Sequence, residues 1–515
     1  MESDLKETFT GVPFFANLRQ AITDGSYNFV DPSLNSQAVR NFIAPTDVQN
    51  VSSKLYQGQA TIAKDLFHLP GGRLQVLVGG SVRYEEINDP SANPPGPTNP
   101  DQQYFPLING FGAKGHRYVY SGFFEAGAPV FDQLEVNVSG RYDNYSTGFD
   151  HFSPKVGAKF TPIKQLALRG TFSKGFRTPS FAETGALPTT GFTTVTPGGS
   201  NATAFNNAHG NDAYTQPYGL GTTVQGTPTL SPETSTNFTA GVIVKPAPWL
   251  NFKADYYNIA KKNVIVNANY SAAVNAYYLG QPIPTGFNIV QDIVDPLFPN
   301  AQRRVFAVAY GFINANSLVT DGIDFGADAS IHLPHGIKWT SSGEATLILR
   351  LNETLPNGGG TERFAGTLGP FQITSASGTP RWRANWQNTF EAGIFTLTGT
   401  AYYTSGYTGA ADDATGVGTG SSCASAIATY LPSNVAGDNS PSVPLRCHVR
   451  DFVDFDLTGS IKIDERFTLR FNVLNVFDVK PPFDPNTYGG NNYNPAFAQA
   501  GIVGRYLRIG ADVKF

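Results

Sequence analysis

LTGSIKI (Leu457–Ile463) and FTLRFNV (Phe467–Val473), four residues apart, decide how the rest of this sequence is read. The first places Leu457, Gly459, Ile461 and Ile463 on one side and Asp456, Thr458, Ser460 and Lys462 on the other. The second sets Phe467, Leu469, Phe471 and Val473 against Thr468, Arg470 and Asn472. The final run repeats the pattern, with Leu507, Ile509, Ala511, Val513 and Phe515 opposite Tyr506, Arg508, Asp512 and Lys514. A period of two with one apolar and one polar face is the mark of strands that meet two different solvents.

A soluble sandwich alternates in the same way, so strand length and connection length have to decide. About fifteen such runs can be traced. They lie near 55–66, 73–85, 114–128, 133–146, 151–161, 165–176, 233–245, 249–260, 309–331, 337–351, 380–391, 394–405, 449–462, 466–477 and 502–515. Most are long enough to cross a bilayer when tilted, and longer than the five or six residues usual in soluble strands. Short connections at 68–72, 128–131, 161–164, 245–248, 333–336 and 462–465 are Pro-, Gly- or Asp-bearing turns. Long ones at 88–113, 178–232, 261–308, 352–379, 406–448 and 478–501 alternate with them, and the expectation is that this alternation holds without exception. Outer-membrane barrels have this asymmetry, with short periplasmic turns and long outer loops. The expected fold is therefore all-β, an antiparallel transmembrane β-barrel. Its C-terminal strand should end at the periplasmic rim, with residues 1–54 an extracellular segment leading into a barrel domain at 55–515.

Composition agrees. Charged residues are 15% of the 515, against about 25% in soluble proteins. Aromatics reach 13%, Gly 54, and the net charge of −4 points away from nucleic acid. No apolar run approaches the length of a membrane helix, a test to which alternating strands are invisible. Residues 1–20 lack a basic stretch followed by an apolar one, so no signal peptide is expected there. Cys423 and Cys447 share one polar loop, which suits a disulfide formed in an oxidising compartment, or else two free thiols.

Several stretches resemble the TonB-dependent receptors, plugged outer-membrane barrels that import scarce nutrients. FSPKVGAKFTP with LALRGTFSKGFRTPSFAE (Phe152–Glu183) is similar to the family's mid-barrel signature, and LSPETSTNFTAGV (Leu230–Val242) with DYYNI to its next hairpin. RFTLRFNVLNVFD (Arg466–Asp478) and GRYLRIGADVKF (Gly504–Phe515) resemble its C-terminal signature. The resemblance implies a 22-stranded barrel, an N-terminal plug, a TonB-contacting box, and recognition of terminal Phe515 by the barrel-assembly machinery. About fifteen strands leave about seven to be found, so the expectation is a piece of a longer receptor or an incompletely delimited gene. The implied function is energy-coupled import of a bulky nutrient such as an iron–siderophore, cobalamin or oligosaccharide. A passive porin is the alternative, and a secreted soluble β-protein acting on polysaccharide a third reading.

No catalytic constellation is visible, and no cofactor is implied. The seven histidines are scattered, and His332 and His335 sit in a turn with no acidic or Cys partner. The polar face carries Glu135, Arg141, Asp143, Arg169, Lys253, Asp255, Asp454, Asp456, Arg470, Arg508 and Asp512. The resemblance implies that such groups hold the plug, while hydration of a wide lumen asks for the same residues. The loops hold Tyr104, Phe105, Tyr214, Tyr218, Tyr407, Tyr488 and Tyr493 with Asn491, Asn492 and Asn494. Aromatic faces beside amides suit a sugar or siderophore, and equally suit loop packing.

Overall fold

In a computed structural model the described residues are 1–90, 105, 112–187, 189–354, 360–369, 378–409, 427–428, 443–444, 448–482, 495–497 and 504–514. The first seven strands are β1 (Glu2–Phe9), β2 (Asp47–Leu69), β3 (Gly72–Asp89), β4 (Gly112–Phe131), β5 (Leu134–Tyr145), β6 (Asp150–Ile163) and β7 (Leu166–Arg177). β8 (Thr189–Val195) and β9 (Tyr218–Gln225) lie in a long connection, followed by β10 (Glu233–Ala247), β11 (Leu250–Asn267) and the short β12 (Asn288–Gln291). β13 (Val305–Leu333), β14 (Ile337–Thr354), β15 (Trp382–Ala392), β16 (Phe395–Thr404), β17 (Phe452–Lys462), β18 (Phe467–Leu474) and β19 (Tyr506–Val513) complete the wall.

Leaving out β8, β9 and β12, each strand hydrogen-bonds antiparallel to the next, from β1 to β19. All fifteen runs expected from alternation are strands, eight of them longer than expected and six shorter; β13 alone runs for 29 residues. Residues 1–54 are more than a loop: β1 pairs with the first eight residues of β2, and helices α1 (Phe15–Asp24) and α2 (Gln37–Ile43) fill the connection. Among the described residues no pairing joins β19 to β1 or β2, and all eight residues of β19 are exposed.

Register carries one face across the wall. Val138 lies opposite Val156, Val156 opposite Phe172, and Phe172 opposite Phe238. Farther round, Phe325 faces Ala345, Leu397 faces Gly459, and Phe471 faces Ile509. Val138, Val156, Phe172, Phe238, Phe325, Leu397 and Ile509 among them are large, apolar and solvent-exposed, with Phe172 at 41%, Phe238 at 46% and Ile509 at 84%. A soluble protein does not leave so extended an apolar sheet face uncovered. Among the described residues no helix is long and apolar enough to cross a membrane, and the strands supply the apolar surface instead.

The alternation of short and long connections holds with one correction. β5 and β6, on the long-loop rim, are joined by residues 146–149 alone, where Gly148 N–H donates to the Tyr145 carbonyl at 2.9 Å. A tight turn satisfies the backbone as well as a long loop does, so nothing physical forbids a short connection on that rim.

Buried apolar clusters occur where loops stack. One gathers Phe205, Leu220, Val274, Tyr278, Val305 and Val308. The other gathers Phe364, Leu368, Tyr407, Val449, Phe452 and Phe497.

Candidate functional site

The face opposite the apolar one forms a polar lumen wall. One row reads Lys159, Arg169, Gly241, Asp255, Asp324 and Thr346 across six strands. Arg169 on β7 forks onto Asp255 on β11 at 2.7 and 2.5 Å, passing over β10 at Gly241. A Cβ at Gly241 would come 1.9 Å from Asp255 Oδ1, so the absent side chain is what lets the pair span alternate strands. The same device recurs where Lys253 reaches Glu344 at 3.2 Å over Gly326. Arg141 donates to Asp143 and to Ser121 Oγ, both at 2.7 Å, and lies over the Phe123 ring.

The remaining lumen residues expected from sequence share this face. Arg470 pairs with Asp512. Arg508 lies opposite Asn472 in the register and is exposed. Asp456 is buried and accepts the Asn475 N–H at 2.8 Å, and neighbouring Asp454 is buried as well. Arg141, Arg169, Asp255 and Arg470 thus already have partners within the wall.

At the long-loop rim the two mid-barrel motifs meet in an ionic knot. Glu233, from the LSPET stretch, accepts from Arg177 at 2.6 Å, from the Ile265 N–H at 3.0 Å and from Lys261 at 3.2 Å. Arg177, from the FRTPSFAE stretch, also forks onto Glu183 at 2.8 and 2.9 Å. Ser180 and Glu183 cap the short helix α3 (Phe181–Gly185) reciprocally, Ser180 N–H donating to Glu183 at 2.7 Å and Glu183 N–H to Ser180 Oγ at 3.2 Å. Burial by itself would raise the Glu233 carboxyl; the Arg177 guanidinium, the Ile265 N–H and Lys261 outweigh it and hold the group down at about 2. Sequence reading passed over this knot, although both halves lie inside quoted motifs.

Above the knot, β8, β9, β12 and the start of β13 form a small sheet with helices α4 (Ala202–Ala208) and α5 (Tyr270–Tyr278). Arg304 lies over the rings of Tyr214 and Tyr218, 4.4 and 4.7 Å from their centroids, and donates to Asp292 at 2.5 Å. The Tyr214 hydroxyl donates to the Ile293 carbonyl at 2.7 Å, and that of Tyr218 to the Val305 carbonyl at 2.5 Å. His209 is fully buried against the rings of Phe205 and Tyr214, with Nδ1 2.6 Å from Asp295 and Nε2 2.9 Å from the Gln302 carbonyl.

The expected ligand-contacting aromatics therefore divide. Tyr214 and Tyr218 are half-buried inside this loop unit, Tyr407 packs in the second cluster beside Phe497, and Phe105 is buried against Phe14. These four hold loops together, because a ring gains more from a closed apolar contact than from water. Tyr104, Tyr488, Asn491, Asn492, Tyr493 and Asn494 lie outside the described residues, as do Cys423, Cys447 and terminal Phe515.

A one-sheet wall with an apolar outside, a charged inside and loops massed on one rim defines an outer-membrane β-barrel. Residues 5–476 match the family described as TonB dependent receptor-like, beta-barrel, and the chain belongs to that family. No curated protein matches it in sequence. Among solved structures it is similar to the siderophore receptor PirA of Acinetobacter baumannii, with TM-score 0.59 and 13% identity over 100% of this chain and 59% of that one. It is also similar to a point mutant of the ferric enterobactin receptor PfeA of Pseudomonas aeruginosa in complex with enterobactin. There the TM-score is 0.56 at 14% identity, over 92% of this chain and 56% of that one. The chain spans less than three fifths of the length of these receptors.

Proposed function

We propose that the chain forms part of the barrel of an outer-membrane receptor that takes up a bulky nutrient with energy supplied through TonB. On this reading the apolar face meets outer-membrane lipid and the long loops stand outside the cell. A plug occupies the lumen, and the terminal Phe515 strand is what the barrel-assembly machinery engages. The observation that carries the proposal is the set of cross-strand ion pairs inside the wall, Arg169–Asp255 and Lys253–Glu344 included, beneath loops packed into two clusters. A charged interior serves any wide hydrated lumen; the loops packed on one rim suit capture of a ligand, and the family match favours gated uptake over free diffusion. The solved relatives named for siderophores make an iron chelate the first ligand class to test, ahead of cobalamin or an oligosaccharide. Ligand contacts fall to the loop residues Tyr104, Tyr488, Asn491, Asn492 and Tyr493.

The test is uptake of a labelled ferric siderophore panel, cobalamin and oligosaccharides by cells expressing or lacking the gene. Accumulation of one ligand that stops when TonB is deleted or the proton gradient is collapsed supports the proposal. Accumulation indifferent to both would make the protein a passive pore.

A further inference from the structure

On β14 and β15 the outward face carries polar groups at a depth where other strands are apolar. Ser341 continues the outward row of Ala345 and Gly343 on β14, and Asn388 lies opposite it on β15. Counted from the short-turn rim, each is the fifth residue of its strand. About 9 to 11 tilted residues cross the hydrocarbon, so the fifth stands near its middle. At the same count β5, β18 and β19 carry Val138, Phe471 and Ile509. Trp386 Nε1 donates to Ser341 Oγ at 2.9 Å, and Trp339 Nε1 to Asn388 Oδ1 at 3.1 Å. Among the described residues the Asn388 Nδ2 group donates to nothing. Hydrocarbon offers an amide N–H no acceptor, so a lone one at this depth calls for a protein neighbour.

Beside the amide the face is shaped to receive such a neighbour. A groove of about 440 Å³ has Ala327, Gly343, Ala345 and Ala384 as its floor and Phe252 and Phe325 as its sides. Trp386 lies opposite Gly343 at the groove's edge and is 58% exposed. Small residues continue on the far side of Trp386 and Asn388, at Ala401 and Gly399 of β16. They let two membrane-spanning backbones approach closely, and a side-chain hydrogen bond can then join them. A projecting ring next to a groove, with an amide that both donates and accepts, is self-complementary. That is the condition for an isologous contact, in which one patch meets its own copy across a two-fold axis.

We propose that this face pairs with a second copy of the same chain within the membrane. Trp386 of each copy enters the groove of the other, and each Asn388 amide finds its acceptor among the Asn388 and Ser341 side-chain oxygens that face it. The depth of the amide rests on the outer-membrane placement proposed above.

The experiment uses protein purified from outer membranes in a background lacking Cys423 and Cys447. Copies labelled at Gln281→Cys with a donor or an acceptor dye are reconstituted together into phosphatidylcholine liposomes, and energy transfer is followed as lipid is added. Transfer should fall along a single monomer–dimer curve. Asn388→Leu should weaken the pair about tenfold, because the two-fold contact loses two side-chain hydrogen bonds. Ala345→Trp fills the groove and should abolish transfer; Trp386→Ala removes the ring that enters it and should weaken pairing while leaving the wall intact. Each variant is compared on protein that shows the heat-modifiable folded band. Monomers at every lipid ratio, or pairing as strong in Asn388→Leu and Trp386→Ala as in the parent, overturns the interface. Flotation separates this from the earlier reading: protein that fails to enter the liposomes contradicts the membrane placement itself, whereas monomers that float overturn the pairing alone.

Discussion

Replacing Glu233 with Gln should release the loops that rise from β7 and β11, and acid should do the same to the unaltered protein. The carboxyl lies at about 2, against an ordinary 4.5, and its side chain is only 4% exposed, so solvent screening takes little away. A shift of that size corresponds to about 3 kcal/mol between the charged and neutral forms, at about 1.36 kcal/mol per unit. Because the folded group is depressed, its contribution is complete above about pH 4.5 and drains away as pH falls toward 2. Gln cannot accept as a charge from Arg177 and Lys261, so the variant should lack the contribution at every pH. Amide hydrogen exchange over residues 178–232 and 262–304, corrected for intrinsic rates, reads the local opening. At neutral pH, exchange in Glu233→Gln should quicken by about a hundredfold in both segments. The acid-induced rise between pH 4.5 and 2 should be present in the wild type and missing from the variant. Identical exchange in the two proteins at neutral pH, or the same acid step in both, would refute the anchoring role.

Gly241→Val should destabilise the wall by about 1–2 kcal/mol in urea, because the new Cβ meets Asp255 Oδ1 and breaks the bridge from Arg169. Combined with Asp255→Ala the costs should fall short of additive, and strict additivity would show that the two sites do not interact. Phe172→Arg, on the apolar face, should impair assembly by about 2–4 kcal/mol, while Thr171→Arg on the lumen face beside Thr239 should be mild. The heat-modifiable band of the folded barrel on gels measures both, and equal losses would mean the faces are misassigned. Cys423 and Cys447 should appear as one linked peptide in non-reduced digests of exported protein, a closure of about 24 residues worth roughly 3 kcal/mol; two alkylated thiols would contradict it.

Most of the wall was legible in the sequence, and the reason is local. The two faces of β17 and β18 can be read from Leu457–Ile463 and Phe467–Val473 because period two is written in adjacent residues, and the observed register keeps that assignment. The lumen position of Arg169 and Asp255 follows from the same alternation. That they pair over Gly241 does not, since it depends on β10 lying between strands 86 positions apart in sequence. The loops were the least legible. Tyr407 is 1% exposed through packing against Phe497, and Tyr214 is held by Arg304; such contacts join distant segments with no periodic signature. The Arg177–Glu233 bond likewise joins the ends of two strands far apart in sequence, where their charges look like ordinary solvated rim residues.

The orientation of the wall in its membrane is the claim on which the rest turns, and surface accessibility on intact cells tests it most directly. Single cysteines would be placed in the loops at Asn207 and Gln281 and in the turns at Pro70, Lys164 and Pro334, in a background lacking Cys423 and Cys447. A membrane-impermeant thiol reagent should label the two loop positions on whole cells and reach the three turns only after the outer membrane is opened. A loop of 25 residues or more can extend past the head groups at roughly 3.3 Å per residue, and a four-residue turn cannot. Labelling of the turns first on intact cells, or of all five positions alike, would contradict the account.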